Sequence, residues 1–158
     1  MSFIESFLGR TIWTIASVFF QKTAYKVPSL NGSWVYEQTT THSAYNPYIG
    51  MRLRYLSLLT IDENKVSGTA EKIWELSSNG EEREYVGKNR STATISGHVK
   101  RKIFGRHEII IHLNEDGHGR KYSTQHILAV SNKDLLMGRF SSTAANQIGT
   151  CTWNRRTT

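Results

Sequence analysis

The chain has 158 residues, 38% hydrophobic and 21% charged, with a formal net charge of +7. That size holds one domain plus an appendage, and the composition excludes a disordered chain. The single cysteine, Cys151, excludes an internal disulfide and any Cys-based zinc site, and it suits a reducing compartment. Arg10, Lys22 and Lys26 against Glu5 put +2 in the first 26 residues and leave +5 for the rest. Such an excess favours an anionic partner (a phosphate-bearing ligand, nucleic acid or acidic lipid), or it simply keeps the protein in solution.

The first predicted element is a hydrophobic helix over Phe3–Gln21. Its apolar residues, among them Phe3, Phe7, Ile12, Ile15 and Phe19, recur at helical period, and Thr11 to Phe20 is free of charge. Opposite them runs a polar stripe of Ser6, Arg10, Thr14, Ser17 and Gln21. At about 1.5 Å per residue the helix reaches roughly 28 Å, close to the thickness of a hydrocarbon core. Spanning a membrane, lying in its interface, or packing on the following domain all fit this pattern. Glu5 and Arg10 in the first half make it a poor solitary span, and the stripe suits an oligomerising helix that hides it against copies of itself. Glu5 replaces a basic n-region and no A-x-A site follows, which argues against a signal peptide. If the helix spans, Lys22 and Lys26 place the remainder in the cytoplasm.

Residues 1–26 form this membrane or oligomerisation unit, and 27–158 form a second, strand-rich one. The linker Lys26 to Asn31 contains Pro28, which ends any helix. Gly32 to Gln38 opens the first strand, with Trp34, Tyr36 and Gln38 on one face. A polar loop, Thr41 to Gly50, turns at Asn46-Pro47. The second strand sets Arg52 and Arg54 against Leu53, Tyr55, Ser57, Leu59 and Ile61. The third, after Asp62-Glu63-Asn64, places Val66, Gly68, Ala70, Lys72 and Trp74 on one narrow, inward face. Asn79-Gly80 signals a hairpin, and Glu81 to Lys102 reads as one long or interrupted strand. Strands follow at His107 to Glu115, Lys121 to Val130, Leu135 to Ser142 and Thr150 to Arg156, with Glu115 to Gly119 as a loop. Eight evenly spaced strands predict a mainly β fold: an antiparallel up-and-down, lipocalin-like β-barrel that encloses room for one small ligand.

Catalytic and metal motifs are missing. The six histidines show no H-x-H or H-E-x-x-H spacing, and there is no G-x-S-x-G elbow, P-loop or G-x-G-x-x-G. Glu81-Glu82 and Glu115-Asp116 both read as loop residues. The expectation is a non-enzyme without cofactor or metal. The stronger signal is aromatic residues interleaved with basic ones: Tyr45 and Tyr48 before Arg52 and Arg54, and Lys72 beside Trp74. Bases stack on Tyr or Trp for about 1–3 kcal/mol each, and Arg and Lys neutralise phosphates. Hydroxyls at Ser141, Ser142 and Thr143 suit ribose or phosphate oxygens. The basic run Lys100-Arg101-Lys102 reads as a solvated hairpin end.

The hydrophobic N-terminus and the strand pattern ending GRFSSTAANQIGTCTWNR (Gly138 to Arg155) together resemble a known group, the membrane-anchored β-barrel effectors of CBASS anti-phage defence. These form the SMODS-associated two-transmembrane, β-strand-rich family. The resemblance runs from Leu30 to Arg155 and includes LNGSW (Leu30 to Trp34) and EDGHGRKYST (Glu115 to Thr124). It implies an antiviral sensor-effector whose barrel binds a cyclic di- or oligonucleotide made by a partner synthase. Its helices then oligomerise and disrupt the inner membrane. No polymeric nucleic acid is implied. The family has two membrane helices, whereas this sequence offers one. With Arg120 from the Glu115–Thr124 stretch, the candidate ligand contacts are Tyr45, Tyr48, Arg52, Arg54, Lys72, Trp74, Arg120 and Thr143, and the implied ligand is a cyclic dinucleotide. Gly32-x-Trp34 also resembles the lipocalin opening, so a carrier of a small apolar ligand is the alternative. A third possibility is an interaction barrel with a filled core.

Overall fold

Alternating apolar and polar residues in this chain become strands with one face turned inward. The computed structural model describes residues 28–102, 104–117 and 120–157, with only the backbone at 117 and 120. The predicted helix over Phe3–Gln21 lies outside the described residues. Among those described, no helix is long and apolar enough to cross a membrane. Nine strands follow: β1 (Gly32–His42), β2 (Arg52–Asp62), β3 (Lys65–Leu76), β4 (Glu82–Glu84), β5 (Thr92–Lys100), β6 (Glu108–Gly117), β7 (Arg120–Val130), β8 (Leu135–Ser142) and β9 (Gln147–Arg155).

Eight of them close an antiparallel barrel in which each strand pairs with the next along the chain, and β9 pairs with β1 to seal the ring. The long stretch after Asn79-Gly80 resolves into short β4, a single 3-10 turn at Gly87–Asn89, and β5. β4 stands outside the ring. It pairs with β3 at Trp74 and Leu76, while β5 pairs with β3 only from Lys65 to Glu71.

The core is continuous from one end of the barrel to its middle. Trp34, Leu59, Val66, Leu128 and Leu136 fill the end where the chain enters. Leu30 joins them at 1% exposure, so the predicted linker ends inside the core rather than before it. Above this layer the rings of Trp153, Tyr36 and Tyr55 stack face to face, with centroids 4.2 and 4.7 Å apart. Four inward glycines let strands approach closely enough to close around these large rings. A Cβ on Gly68, Gly97, Gly138 or Gly149 would lie 1.9–2.1 Å from a carbonyl oxygen of the adjacent strand.

The strand directions divide the connections between two ends. The entry end carries the start of β1, the β2–β3, β5–β6 and β7–β8 turns, and the end of β9. The opposite, open end carries the β1–β2 loop, the β3–β5 excursion, the β6–β7 hairpin and the β8–β9 loop.

Candidate ligand site at the open end

All eight predicted contacts belong to elements at the open end, although they come from stretches as far apart in sequence as Tyr45 and Thr143. They occupy different surfaces there. Tyr48 and Lys72 line a cavity of about 160 Å³ in the barrel mouth, together with Gln38, Leu53, Glu75, Tyr122 and Gln147. Tyr45 stands 54% exposed on the rim, edge-to-face against Tyr48 at 5.0 Å. Thr143 lies at a second, shallower groove of about 640 Å³ on the outer wall of β3, β5, β6 and β7. Of Arg120 the structure describes the backbone, at the start of β7.

Lys72 and Trp74 do not share a face, contrary to the simple alternation of β3. Tyr55 pairs with Lys72 but Arg54 pairs with Trp74, so Ile73 is the extra residue of a β-bulge. Lys72 therefore follows Val66 and Ala70 inward, and Trp74 turns to the outer wall. There it meets Arg54 and Arg52, whose guanidinium carbons sit 4.6 and 5.8 Å from the indole centre. Both arginines share one carboxylate, Glu37, with Nε–O distances of 2.9 and 3.3 Å. Burial would raise the Glu37 pKa, but the bonds to the two guanidinium groups outweigh it and hold the carboxyl below its ordinary value.

Inside the mouth, Lys72 Nζ donates to Glu75 at 3.1 Å and rests 4.5 Å from the Tyr85 ring centre. The Tyr85 hydroxyl donates to the same Glu75 oxygen at 2.9 Å. Burial alone would lower the Lys72 pKa, yet Glu75 and Tyr85 outweigh it and hold Lys72 above the usual lysine value. Glu75 is likewise pulled below its usual value, against burial, by Lys72 and Tyr85. An anion entering the mouth meets an ammonium group already engaged by Glu75.

Beneath the pair lies a residue that alternation could have found. Glu115 belongs to β6, not to a loop, and follows Ile109, Ile111 and Leu113 to the inward face, where it is 6% exposed. Tyr55 donates to it at 3.1 Å and Ser91 donates to its other oxygen. Burial, then the Glu115 charge, push the Tyr55 and Tyr122 hydroxyls well above the ordinary tyrosine range, so both stay protonated as donors. The strand reading also placed Asp116 in a loop; it lies in β6, exposed, on the outer face.

The rim is tied together by hydrogen bonds to the backbone. Ala44 N–H donates to Ala145 O at 2.8 Å, and the Ser78 hydroxyl donates to Pro47 O at 2.7 Å. Thr143 Oγ1 accepts from Ser123 N–H at 3.0 Å. Across the outer groove, pairing aligns Thr69, Thr94, Asn114 and Ser123 in one row of hydroxyl and amide side chains.

The charge that suggested an anionic ligand is not concentrated here. With Glu37, the segments Arg52–Arg54, Glu71–Arg90 and Glu115–Lys121 carry eight cations and eight carboxylates. Recognition of phosphate at this end would rest on Lys72, Arg52 and Arg54 individually, not on a general field. Among the described residues, no group of three His, Cys, Asp or Glu side chains is placed to hold a metal ion. Comparison with known proteins finds no family model, no curated protein and no solved structure that matches the chain.

Proposed function

We propose that the chain is a non-catalytic sensor-effector whose open end binds a cyclic dinucleotide and whose ligand state governs assembly of the N-terminal helices at a bacterial inner membrane. The observation that carries this reading is the convergence of Lys72 and Tyr48 within the mouth, beside Tyr45 and the Arg52–Arg54–Trp74 cluster, at one end of the barrel. Within the mouth, a ring suited to stacking on a base and a cation suited to phosphate thus line one cavity, while Arg52, Arg54 and Trp74 stand on the outer wall of the same end. The resemblance to the anti-phage effectors supplies the cyclic nucleotide, the synthase partner and the membrane outcome.

The mouth cavity of about 160 Å³ is smaller than the roughly 300–1,000 Å³ of ordinary ligand pockets. Binding therefore requires the mouth to widen. We assign this movement to the excursion from Ser77 to Ser91, which stands outside the closed ring and meets the mouth through the bond from Tyr85 to Glu75. A phosphate on Lys72 competes with Glu75, the carboxylate that also accepts from the Tyr85 hydroxyl, so occupancy and rim conformation are linked through Glu75. An apolar carrier is the weaker reading, because Trp34, Tyr36, Phe140 and Trp153 occupy the interior and the remaining space is lined by Lys72, Glu75 and two glutamines.

Titration calorimetry of the full chain in detergent, against a panel of cyclic dinucleotides, tests the proposal. Saturable heat with one member, weakened about tenfold or more by Lys72→Met, supports it. Absence of heat with every member, or binding indifferent to Lys72→Met and Tyr48→Ala together, refutes the site.

A further inference from the structure

The basic excess of the barrel sits at the entry end. The β5–β6 connection bears Lys100, Arg101, Lys102 and Arg106 against Glu108, and the end of β9 adds Arg155 and Arg156. The β2–β3 turn sets Lys65 against Asp62 and Glu63, and the β7–β8 turn carries Lys133 and Asp134. This end holds +4 of the +5 carried by residues 27–158, and Arg139, midway along β8, accounts for the remainder.

At the tip of the β5–β6 hairpin stands Phe104, 89% exposed, the most exposed large apolar side chain among the described residues. Gly105 follows with φ +85°, a left-handed conformation that turns the chain back. The base of the hairpin is anchored. Lys102 N–H donates to His107 Nδ1 at 3.1 Å, Lys102 Nζ meets Glu108 at 2.8 Å, and Arg101 donates to Glu63 O at 3.2 Å. A fixed stem thus presents one aromatic ring beyond a ring of cations. The same end receives the chain from the N-terminal segment, since Ser29 and Asn31 are bound there by Arg155.

We infer that the entry end is a docking face for an anionic lipid bilayer, with Phe104 entering the headgroup layer and Lys100, Arg101 and Arg106 neutralising lipid phosphates. This rests on the membrane part of the function proposed above and adds the barrel's orientation to it: the open end faces away from the bilayer, toward soluble ligand. An apolar ring flanked by cations is the composition that holds interfacial segments to acidic membranes. A nucleic-acid surface would instead interleave several aromatics along a basic groove, whereas this tip is convex and carries one.

The test uses the full chain with Phe104→Cys carrying an environment-sensitive fluorophore; Cys151 is buried and does not compete. A second labelled chain, Glu82→Cys, reports the open end. Vesicles of phosphatidylcholine with about one third phosphatidylserine should shift the residue-104 probe to the blue, and about 0.5 M salt should reverse most of the shift. Phosphatidylcholine alone should not shift it, and the residue-82 probe should stay unmoved. Lys100→Glu with Arg101→Glu should cut the shift about tenfold. Chain that pellets with vesicles but gives no shift at 104, or shifts at 82, overturns the docking face and leaves membrane association standing. Failure to pellet with any vesicle overturns both. A shift caused by single-stranded DNA without vesicles reassigns the tip to nucleic acid and also overturns the inference.

Discussion

The Trp153 indole N–H donates to Nδ1 of His126 at 3.1 Å, which makes that nitrogen an acceptor and fixes the imidazole as its Nε2–H tautomer. The remaining hydrogen then points to the Gln38 side-chain oxygen at 3.3 Å. His126 is fully buried, and burial pushes its pKa down to about 3.

Acid should therefore weaken the fold through this residue. Between about pH 6.5 and pH 3 the unfolded chain binds a proton at His126 that the folded protein refuses, so stability falls as pH falls through that window. From pH 7 to pH 5 the loss from this group alone is about 2 kcal/mol. Glu37 and Glu75, whose pKa values are lowered, add their losses only below the ordinary carboxylate range. Urea unfolding at the two pH values should show the drop in the native chain and little of it in His126→Gln, whatever that variant's absolute stability. A native midpoint that does not move would contradict a buried neutral imidazole.

Glu75 competes with any anionic ligand for Lys72. Glu75→Gln should raise affinity for the cyclic dinucleotide about five- to tenfold, while Lys72→Met lowers it by at least as much. The pair is half-buried, so its own contribution to stability is about 1 kcal/mol. Opposite signs in ligand affinity, with both variants close in melting temperature, are the expected pattern in calorimetry and thermal unfolding. Weaker binding by both would mean that Glu75 holds the ligand rather than blocks it.

Closure depends on glycine where strands cross tightly. Gly138→Ala puts a Cβ 1.9 Å from Ile127 O, and nothing there is the flexible end of a side chain. The expected cost is about 2–4 kcal/mol, or roughly 10 °C in melting temperature. Gly80→Ala is the control: it has φ +88° but nothing within 4 Å, and strain alone should cost about 1 kcal/mol. Scanning fluorimetry of both variants ranks steric closure against backbone conformation.

Burial pushes the Cys151 thiol up to about 12, leaving little thiolate in the folded protein at pH 8. Alkylation by iodoacetamide should follow global opening of the barrel, and its rate should rise with sub-denaturing urea. Mass spectrometry over time reads this directly. Rapid labelling without urea would place the thiol at a local opening instead.

Much of the barrel was legible in period-two alternation. Trp34, Tyr36 and Gln38 point inward as the pattern required, and the turn at Asn79-Gly80 falls where its sequence put it. Alternation also contained Glu115, three positions of period two beyond Ile109, but the neighbouring Asp116 and glycines suggested a loop. The bulge at Ile73 was not legible. It follows from matching β3 to β2 across the barrel, and it decides that Lys72 and Trp74 serve different surfaces. Net charge was readable as a sum, but its placement was not, because Lys100–Arg106 and Arg155–Arg156 come to one end only when the barrel closes.

Arg155 gives the chain's point of entry a mechanical character. Its guanidinium donates to Ser29 O, Asn31 O and Lys133 O at 2.6, 2.7 and 2.9 Å, and lies 4.7 Å from the Trp34 ring centre. β1, which continues from that clamp, is flanked by β2 and β9 over nearly its whole length. Tension applied through residue 28 along the strand axis loads two ladders in shear, where many bonds must fail together, rather than peeling them one at a time. Sideways tension falls first on Arg155, on the Trp34 bond to Leu30 O and on the Ile61 N–H bond to the Asn31 side chain. The two ladders thus resist a pull along the strand more than the few bonds at the entry resist a lateral one, and Arg155 supplies two of those bonds.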